Sequence, residues 1–242
     1  MGMDTRAQTN ARTAVITGGS KGIGLAIATA FADAGVNVAI TGRDAAALEA
    51  AERSLKARGT AGVLASRTDV RDFAAVEAFM AATIEAFGGI DVLVNNAGVG
   101  GFAPVEEMSV EEWHRVIDTN LTGVFYCTKL ALPHLRKSAG AYIINISSLA
   151  GKNWFAGGAA YCASKAGLNA FSESLMQDVR QHDIRVSYVM PGSVNTEFNF
   201  MGAQHADWKL NGEDIAKVVL DLVSSDQRAL ASRVEIRPSK PR

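Results

Sequence analysis

The chain has 242 residues, of which 48% are hydrophobic and 20% are charged, with 24 basic against 25 acidic side chains and a formal net charge of -1. This composition is that of one globular domain, and it excludes a chain that is mainly disordered. The near-neutral balance supplies no basic field for nucleic acid or anionic lipid, so the expected partner is a small molecule, with no nucleic acid and no membrane.

The sequence has the features of a cytoplasmic protein. Its two cysteines, Cys127 and Cys162, show no C-x-x-C spacing and suit a reducing compartment. No apolar stretch approaches the roughly 20 residues that a membrane span needs. The four histidines are scattered without a second ligand at metal spacing, so no metal site is expected. Residues 1–11 are polar and predict a flexible tail before a single domain over residues 12–242.

Short apolar runs alternate along the chain with longer runs of helical period. They predict seven strands, Thr13–Thr17, Val36–Ile40, Gly62–Ser66, Asp91–Asn95, Tyr142–Ile146, Arg185–Met190 and Val234–Ile236. They predict helices over Gly22–Ala34, Ala45–Ala57, Arg71–Phe87, Val110–Lys137, Ala159–His182 and Glu213–Ser224. Right-handed crossovers place such helices on both faces of one sheet. We therefore predict an α/β fold, a Rossmann-like, doubly wound, seven-stranded parallel sheet with its ligand at the carboxyl ends of the strands.

A glycine-rich turn joins the first strand to the first helix. Backbone N–H groups and a helix N-terminus at this place can hold a pyrophosphate. Glycine is needed because the chain turns tightly and because cofactor and helix approach it closely. The candidate cofactor-binding residues in the turn are Gly18, Ser20, Lys21, Gly22, Ile23 and Gly24.

The end of the second strand bears on the choice between two nicotinamide cofactors. An acidic side chain there would bind the ribose hydroxyls of NAD, but Arg43 follows this strand instead. Arg43 and Lys21 can both pair with a 2′-phosphate, which favours NADP(H) over NAD(H). Solvated surface charge is the alternative interpretation of these two cations. Asp44 is interpreted as a helix N-cap rather than as a ribose ligand.

Tyr161 and Lys165 stand four residues apart in a predicted helix, which puts them on one face. A phenol titrates near pH 10, about three units too high for acid–base work at neutrality. A lysine and a cationic nicotinamide beside it stabilise the phenolate, so we expect a lowered pKa for Tyr161. Such pairs are common on helix surfaces, and the weight of this one comes from the motifs that accompany it.

Five further features accompany the pair along the chain. They are the glycine turn, Asn95-Asn96-Ala97-Gly98 after the fourth strand, Ser148 after the fifth and Pro191-Gly192 after the sixth, with Asn120 in the helix before the fifth strand. Together they resemble the classical short-chain dehydrogenase/reductase family over residues 12–237.

The resemblance implies catalytic roles for four residues. Tyr161 would be the general acid that protonates a carbonyl oxygen during reduction, and the base in reverse. Lys165 would lower its pKa and hold the nicotinamide ribose, while Ser148 would orient the substrate oxygen. Ser148 is selected over its neighbour because the family's active serine lies thirteen positions before the tyrosine. Asn120 would help to hold a water that links Lys165 to solvent.

The resemblance also implies contacts to the cofactor outside the glycine turn. The residues are Asp69 and Val70 at the adenine, Asn96, Ala97 and Gly98 beside the adenosine ribose, Tyr161 and Lys165 from the catalytic set, and Val194 and Thr196 at the nicotinamide carboxamide. Asp69 has an alternative interpretation as the N-cap of the following helix, and the two roles are compatible.

Aromatic and aliphatic side chains follow the strands that would wall a substrate pocket. The expected substrate contacts are Ser148, Trp154, Phe155, Tyr161 and Phe198. They favour a ketone or aldehyde of apolar or aromatic character, although Lys152 and Asn153 leave room for a polar group. The irregular residues 192–212 are predicted to form a substrate lid.

The leading hypothesis is an NADPH-dependent carbonyl reductase, reversible as an alcohol dehydrogenase. The first alternative is a 3-oxoacyl-(acyl-carrier-protein) reductase, and the second is a catalytically idle NADP-sensing protein. The resemblance implies a homotetramer. The charged, proline-containing end, Val234–Arg242, departs from the family's Gly-rich segment, so a dimer through the long helices stays open.

Overall fold

The computed structural model describes residues 12–59, 62–196 and 206–240. Within them the strands form one sheet in the order β3-β2-β1-β4-β5-β6-β7, and every pairing is parallel. The strands are β1 Thr13–Ile16, β2 Asn37–Gly42, β3 Val63–Arg67, β4 Val92–Asn95, β5 Tyr142–Ile146, β6 Arg185–Pro191 and β7 Arg233–Ile236. The predicted seven-stranded parallel sheet in one domain is confirmed. Its order reverses between β1 and β4, which is where doubly wound sheets bind ligands.

Helices cover both faces of this sheet. They are α1 Gly22–Asp33, α2 Ala45–Lys56, α3 Phe73–Phe87, α4 Val110–Ile117, α5 Gly123–Leu135, α6 Ala159–Val179 and α7 Gly212–Ser224. Successive strand residues point to opposite faces, so Ile16 packs in the core under α1, α2 and α7, while Val15 packs in the core under α3, α5 and α6. Both faces of each central strand are therefore apolar, as the sequence pattern indicates.

Side-chain caps fix where several helices begin. Asp44 accepts a hydrogen bond from the Ala47 N–H at 3.1 Å, which confirms its interpretation as the N-cap of α2. The cap of α3 is Asp72, not Asp69, because α3 begins at Phe73 rather than at Arg71. The suggested capping role of Asp69 is therefore wrong.

The single long helix predicted from Val110 to Lys137 is interrupted. A π-helical turn, Asp118–Thr122, separates α4 from α5. Such a turn accommodates an extra residue in the helix and is frequent at functional sites. It lies at Asn120, whose side chain is turned towards the loop after β4 and binds it there.

The helices of residues 12–59, 62–196 and 206–240 include none that is both long and apolar enough to cross a bilayer.

Candidate active site

The loops at the carboxyl ends of the strands surround one large cleft of about 1680 Å³. Ser148, Tyr161 and Lys165 line it. The predicted cofactor ligands that line it are Gly18, Ser20, Lys21, Gly22, Ile23, Arg43, Asp69, Val70, Asn96, Ala97, Gly98, Val194 and Thr196. Gly24 and Asn120 are not among the described lining residues. One continuous space therefore joins the glycine turn to the Tyr161 hydroxyl.

The glycine turn adopts a backbone that side chains disfavour. Gly18 and Gly22 have φ of +64° and +53°. A Cβ on Gly24 would lie 2.2 Å from the Gly18 carbonyl oxygen and 2.4 Å from Nδ2 of Asn96. Gly24 therefore acts through packing, because its missing side chain lets α1 approach the turn and the loop after β4.

The loop after β4 braces this turn. Nδ2 of Asn96 donates to the carbonyl oxygens of Thr17 and Gly18, both at 3.0 Å. In return the Thr17 hydroxyl oxygen accepts the N–H groups of Asn96 and Ala97, also at 3.0 Å. No role of Thr17 was predicted from the sequence. A hydroxyl residue at the last position before the first glycine is the only signal that points to one.

The start of α1 suits an anion. No acidic residue lies in its first turn, and Lys21 at the N-cap position provides no side-chain cap. Helix N-terminal N–H groups in this condition favour a phosphate. Two features of the cleft therefore suit the pyrophosphate of a dinucleotide: the glycine turn and the uncapped N-terminus of α1.

Two cations stand beside the predicted 2′-phosphate position. Lys21 lies 3.6 Å from the Asp44 carboxylate, and both side chains are about half exposed. The backbone N–H of Ala47, more than Lys21, holds the pKa of Asp44 below its usual range. Within the described residues the Arg43 guanidinium has no hydrogen-bond partner, so its donors can meet a phosphate.

Asp69 at the predicted adenine end is held by its neighbour. Arg71 binds its carboxylate with Nη2 at 2.6 Å and Nε at 3.0 Å. These bonds keep the pKa of Asp69 below its usual range. The carboxylate is thus fixed in place, and its contact with adenine stays a prediction.

The Tyr161 phenol lies at the substrate end of the cleft in a buried environment. Burial raises its pKa to about 12, and a hydrogen bond with Ser148 opposes this shift only in part. In the chain alone the pKa of Tyr161 is therefore raised; a lowered pKa in the presence of the cationic nicotinamide stays a prediction. Lys165 does not supply the shift, because its Nζ lies 5.9 Å from the ring centre and donates to the Ile146 carbonyl at 2.9 Å. The phenol is neutral at pH 7, the form that donates a proton.

Burial without an acidic partner lowers the pKa of Lys165 to about 8. The unfolded chain keeps a lysine pKa near 10.4, so it binds more protons than the folded chain between about pH 8 and 10. Stability therefore rises with pH through this window. We expect the difference in free energy of unfolding between the wild type and Lys165→Met to change in favour of the wild type by on the order of 3 kcal/mol from pH 7 to 10. Urea titrations of both proteins at several pH values in this range measure the two free energies of unfolding. If their difference does not change with pH, the pKa of Lys165 is not lowered.

Asn120 is completely buried behind the cleft and ties three segments together. Its Oδ1 accepts the Val99 N–H at 2.8 Å, and its Nδ2 donates to the Val99 carbonyl at 2.9 Å. The same Nδ2 donates to Ser164 at 3.0 Å, and the Ser164 hydroxyl donates to the Tyr161 carbonyl. Asn120 thus positions the loop after β4 against the helix that carries Tyr161. Its part in a proton relay stays a prediction.

The two serines after β5 face in different directions. The Ser147 hydroxyl donates to Oδ1 of Asn169 on α6 and is buried. Ser148 lines the cleft, bonds the Tyr161 phenol and accepts the Ala150 N–H at 3.1 Å. The choice of Ser148 therefore agrees with the geometry.

Aromatic rings surround the Tyr161 phenol at the substrate end. Phe102 meets the Tyr161 ring edge-on at 5.5 Å, and Phe155 lies 6.1 Å from Phe102. Trp154 does not join them: it is 76% exposed and is not among the described residues that line the cleft. Phe198 lies outside the described residues.

The cleft is lined by more charged side chains than the sequence predicted. Glu112 and Arg115 line it as an ion pair, with Nε of Arg115 at 2.7 Å from the carboxylate. Lys209 and Arg237 line it from the segments before α7 and after β7. Neither segment carries a motif, so no signal in the sequence singles these residues out.

The described part of the predicted lid, residues 192–196 and 206–212, is joined at its base. The Asn195 N–H donates to the Leu210 carbonyl at 2.7 Å. The Asn195 side chain donates through Nδ2 to the Ala206 carbonyl at 3.0 Å and accepts the Ala206 N–H through Oδ1 at 3.1 Å. Residues 197–205 lie outside the described residues. Across the described ranges of the chain, no group of three histidine, cysteine or acidic side chains is placed to hold a metal ion.

Comparison with known proteins agrees with this geometry. The family model for short chain dehydrogenase matches residues 12–206. The 3-oxoacyl-(acyl-carrier-protein) reductase of Chlamydia trachomatis is 36% identical over 92% of this chain and 94% of its own. The NADP-dependent 3-hydroxy acid dehydrogenase of Salmonella typhimurium is 36% identical over 93% and 94%. The structure of an alcohol dehydrogenase from Thermococcus sibiricus, complexed with 5-hydroxy-NADP, has a TM-score of 0.88 at 31% identity and covers 96% of this chain and 98% of its own. The chain therefore belongs to the short-chain dehydrogenase/reductase family of oxidoreductases.

Proposed function

We propose that the protein is an NADPH-dependent carbonyl reductase that converts a ketone or aldehyde to an alcohol, reversibly, with Tyr161 as general acid and base. The observation that carries this proposal is a neutral, buried phenol bonded to Ser148 in the same cleft as the glycine turn. A proton donor beside a dinucleotide-binding turn is the arrangement that carbonyl reduction needs.

The chemistry divides between cofactor and chain. When bound, reduced nicotinamide supplies the hydride that adds to the carbonyl carbon. Ser148 and Tyr161 donate hydrogen bonds to the carbonyl oxygen and orient it, and Tyr161 transfers its proton to the oxygen as negative charge develops there. The phenolate that remains until solvent returns a proton would be stabilised by the positive charge of the oxidised cofactor together with the Lys165 ammonium, whose Nζ lies 5.9 Å from the ring centre. The surrounding rings of Phe102 and Phe155 keep water from the reacting atoms.

The chain's own residues fit NADP(H). The turn from Gly18 to Gly24 and the uncapped start of α1 would hold the pyrophosphate, and Asn96 would keep the turn in shape. Lys21 and Arg43 would bind the 2′-phosphate. The relatives' names support this choice, since one is an NADP-dependent dehydrogenase and another was solved with an NADP derivative.

Arg43→Ala tests the 2′-phosphate assignment. We expect the KM for NADPH to rise about tenfold, since one charge-assisted hydrogen bond to a partly solvated phosphate is lost. The KM for NADH should stay near its wild-type value. Arg53→Ala is the matched control, because Arg53 is an exposed arginine on α2 paired with Glu49. Equal effects of Arg43→Ala on the two cofactors would refute the assignment.

A second candidate function is 3-oxoacyl-(acyl-carrier-protein) reduction, with the same chemistry. Lys209 and Arg237 favour it, because basic residues in the cleft can meet an acidic carrier protein. Reduction of an acetoacetyl-carrier thioester that weakens steeply with salt would support it, and equal activity on the free thioester would count against it. A catalytically idle NADP sensor would bind NADPH without any turnover.

The remaining proposals concern assembly and the segment over the cleft. We expect a homo-oligomer, a dimer or tetramer, with residues 12–242 as one domain and residues 192–212 as a lid. Val110, Trp113 and Phe125 on α4 and α5 are exposed apolar side chains that a second copy would cover. Light scattering of the purified chain distinguishes a monomer from these assemblies.

A further inference from the structure

The arginine that follows the last strand, Arg237, lines the same cleft as the predicted catalytic residues Ser148 and Tyr161. From the sequence, this C-terminal segment was interpreted only as an atypical subunit contact. Its position in the cleft calls for a role towards the substrate instead.

Backbone contacts place the segment after β7 beside the catalytic serine. The Gly192 N–H donates to the Ile236 carbonyl at 2.8 Å. A Cβ on Gly192 would lie 3.1 Å from Cδ of Pro238 and 3.3 Å from Cδ1 of Leu149, the residue after Ser148. The chain on either side of Arg237 is therefore packed against the loops after β5 and β6.

The charge around Arg237 is unbalanced. The Glu235 carboxylate accepts hydrogen bonds from Nζ of Lys152 at 2.6 Å and from Nη2 of Arg237 at 2.9 Å. Two cations thus share one carboxylate, which leaves one positive charge in excess. Within the described residues Arg237 makes only this hydrogen bond, so most of its five N–H donors are available for a second acceptor.

The other arginines of the cleft, and the lysine of the glycine turn, are differently placed or already neutralised. Arg115 is bound by the Glu112 carboxylate at two nitrogens and by the Gly100 carbonyl. Lys21 and Arg43 lie at the glycine turn and the end of β2, on the other side of the sheet's switch point. Arg237 is therefore the guanidinium best placed to meet a substrate.

We propose that Arg237 is a specificity residue that binds an acidic group, a carboxylate, on the carbonyl substrate. The inference rests on the proposed carbonyl reduction and narrows its substrates to oxo acids and hydroxy acids. The guanidinium fork matches a carboxylate in two parallel hydrogen bonds. Phe102 and Phe155 would take the apolar part of the same molecule.

The test compares oxo acids with their methyl esters, because the ester nearly keeps the size of the acid and removes its charge. Benzoylformate and 4-oxo-4-phenylbutanoate, each beside its ester, are assayed with the full chain and saturating NADPH. We expect the wild type to prefer the acids and Arg237→Met to lower kcat/KM for an acid about tenfold, mainly through KM. The values for the esters should not change. Added salt should weaken the acid preference of the wild type.

Two control variants sharpen the assignment. Arg228 also pairs with a carboxylate two residues earlier, Asp226, but is not among the described residues that line the cleft, so Arg228→Met should behave as wild type. Equal wild-type kcat/KM for acids and esters, or an unchanged preference in Arg237→Met, would overturn the proposal. Loss of the preference in Lys209→Met instead of Arg237→Met would also overturn it.

Binding separates this proposal from the proposed function. The acids are titrated calorimetrically into the NADP+-loaded wild type and into Arg237→Met. Absence of turnover together with acid binding that Arg237→Met weakens would support the anion site and count against carbonyl reduction of these compounds. Turnover of esters without any preference for acids would keep the proposed function and reject the anion site. Absence of both turnover and binding would reject both.

Discussion

Tyr161→Phe is expected to lower kcat for carbonyl reduction about a thousandfold or more, because it removes the proton that the product oxygen requires. Ser148 can still orient the carbonyl, but an aliphatic hydroxyl is a much weaker acid than a phenol and cannot replace it as proton donor. The substitution deletes one oxygen atom and keeps the ring that packs against Phe102. Single-turnover kinetics with NADPH measure the loss, and fluorescence titration should give a nearly unchanged Kd for NADPH.

Tyr142→Phe is the matched control for this prediction. Tyr142 is a completely buried tyrosine in β5 whose hydroxyl bonds Ser187 at 2.8 Å, and it is not among the described residues that line the cleft. Its loss of one buried hydrogen bond should cost about 1 kcal/mol of stability and leave kcat unchanged. If Tyr161→Phe keeps more than a tenth of wild-type kcat, Tyr161 is not the general acid.

Gly24→Ala is expected to weaken NADPH binding on the order of a hundredfold and to destabilise the fold by about 1–3 kcal/mol. The new Cβ would lie 2.2 Å from the Gly18 carbonyl oxygen, a backbone atom that moves only if the whole turn moves. Displacing the turn also breaks its brace from Asn96. Calorimetric titration with NADPH and thermal unfolding measure the two effects.

Gly167→Ala provides the comparison, since Gly167 also lies inside a helix. A Cβ there would meet the tip of the Leu121 side chain at 3.0 Å, and a flexible methyl group can give way. Alanine also has the better helix propensity, by about 1 kcal/mol. We expect this variant to bind NADPH normally and to be as stable as the wild type. If Gly24→Ala binds NADPH with wild-type affinity, the missing side chain at the start of α1 is not needed to shape the glycine turn.

The sheet was predictable from the sequence because each strand is a local apolar run. β5 has the predicted bounds, Tyr142–Ile146, and the other strands differ by a residue or two at their ends. Helix starts with an N-cap were predictable where one acidic residue stands before the helix, as with Asp44. Where two compete, as Asp69 and Asp72 do, the sequence alone did not distinguish them.

The parts of the site that sequence did not reveal depend on contacts between distant segments. The π turn at Asn120 forms where that side chain bonds Val99, 21 residues earlier, and a helical period carries no trace of it. The raised pKa of Tyr161 depends on how completely several loops bury it, which a spacing of four residues cannot show. The exposure of Trp154 and the entry of Arg237 into the cleft depend on loop direction, about which residue type says nothing.

The proposed activity is tested most directly by following NADPH consumption by the wild-type chain, with NADH in parallel. The carbonyl panel holds aryl ketones, diketones, aldehydes, oxo acids, sugars and acetoacetyl thioesters. We expect at least one class of carbonyl compound to be reduced with NADPH in preference to NADH. One alcohol should form per NADPH consumed, and Tyr161→Phe should lose this activity about a thousandfold or more. Tight NADPH binding without turnover of any member of the panel would contradict carbonyl reduction and favour an NADP-sensing role.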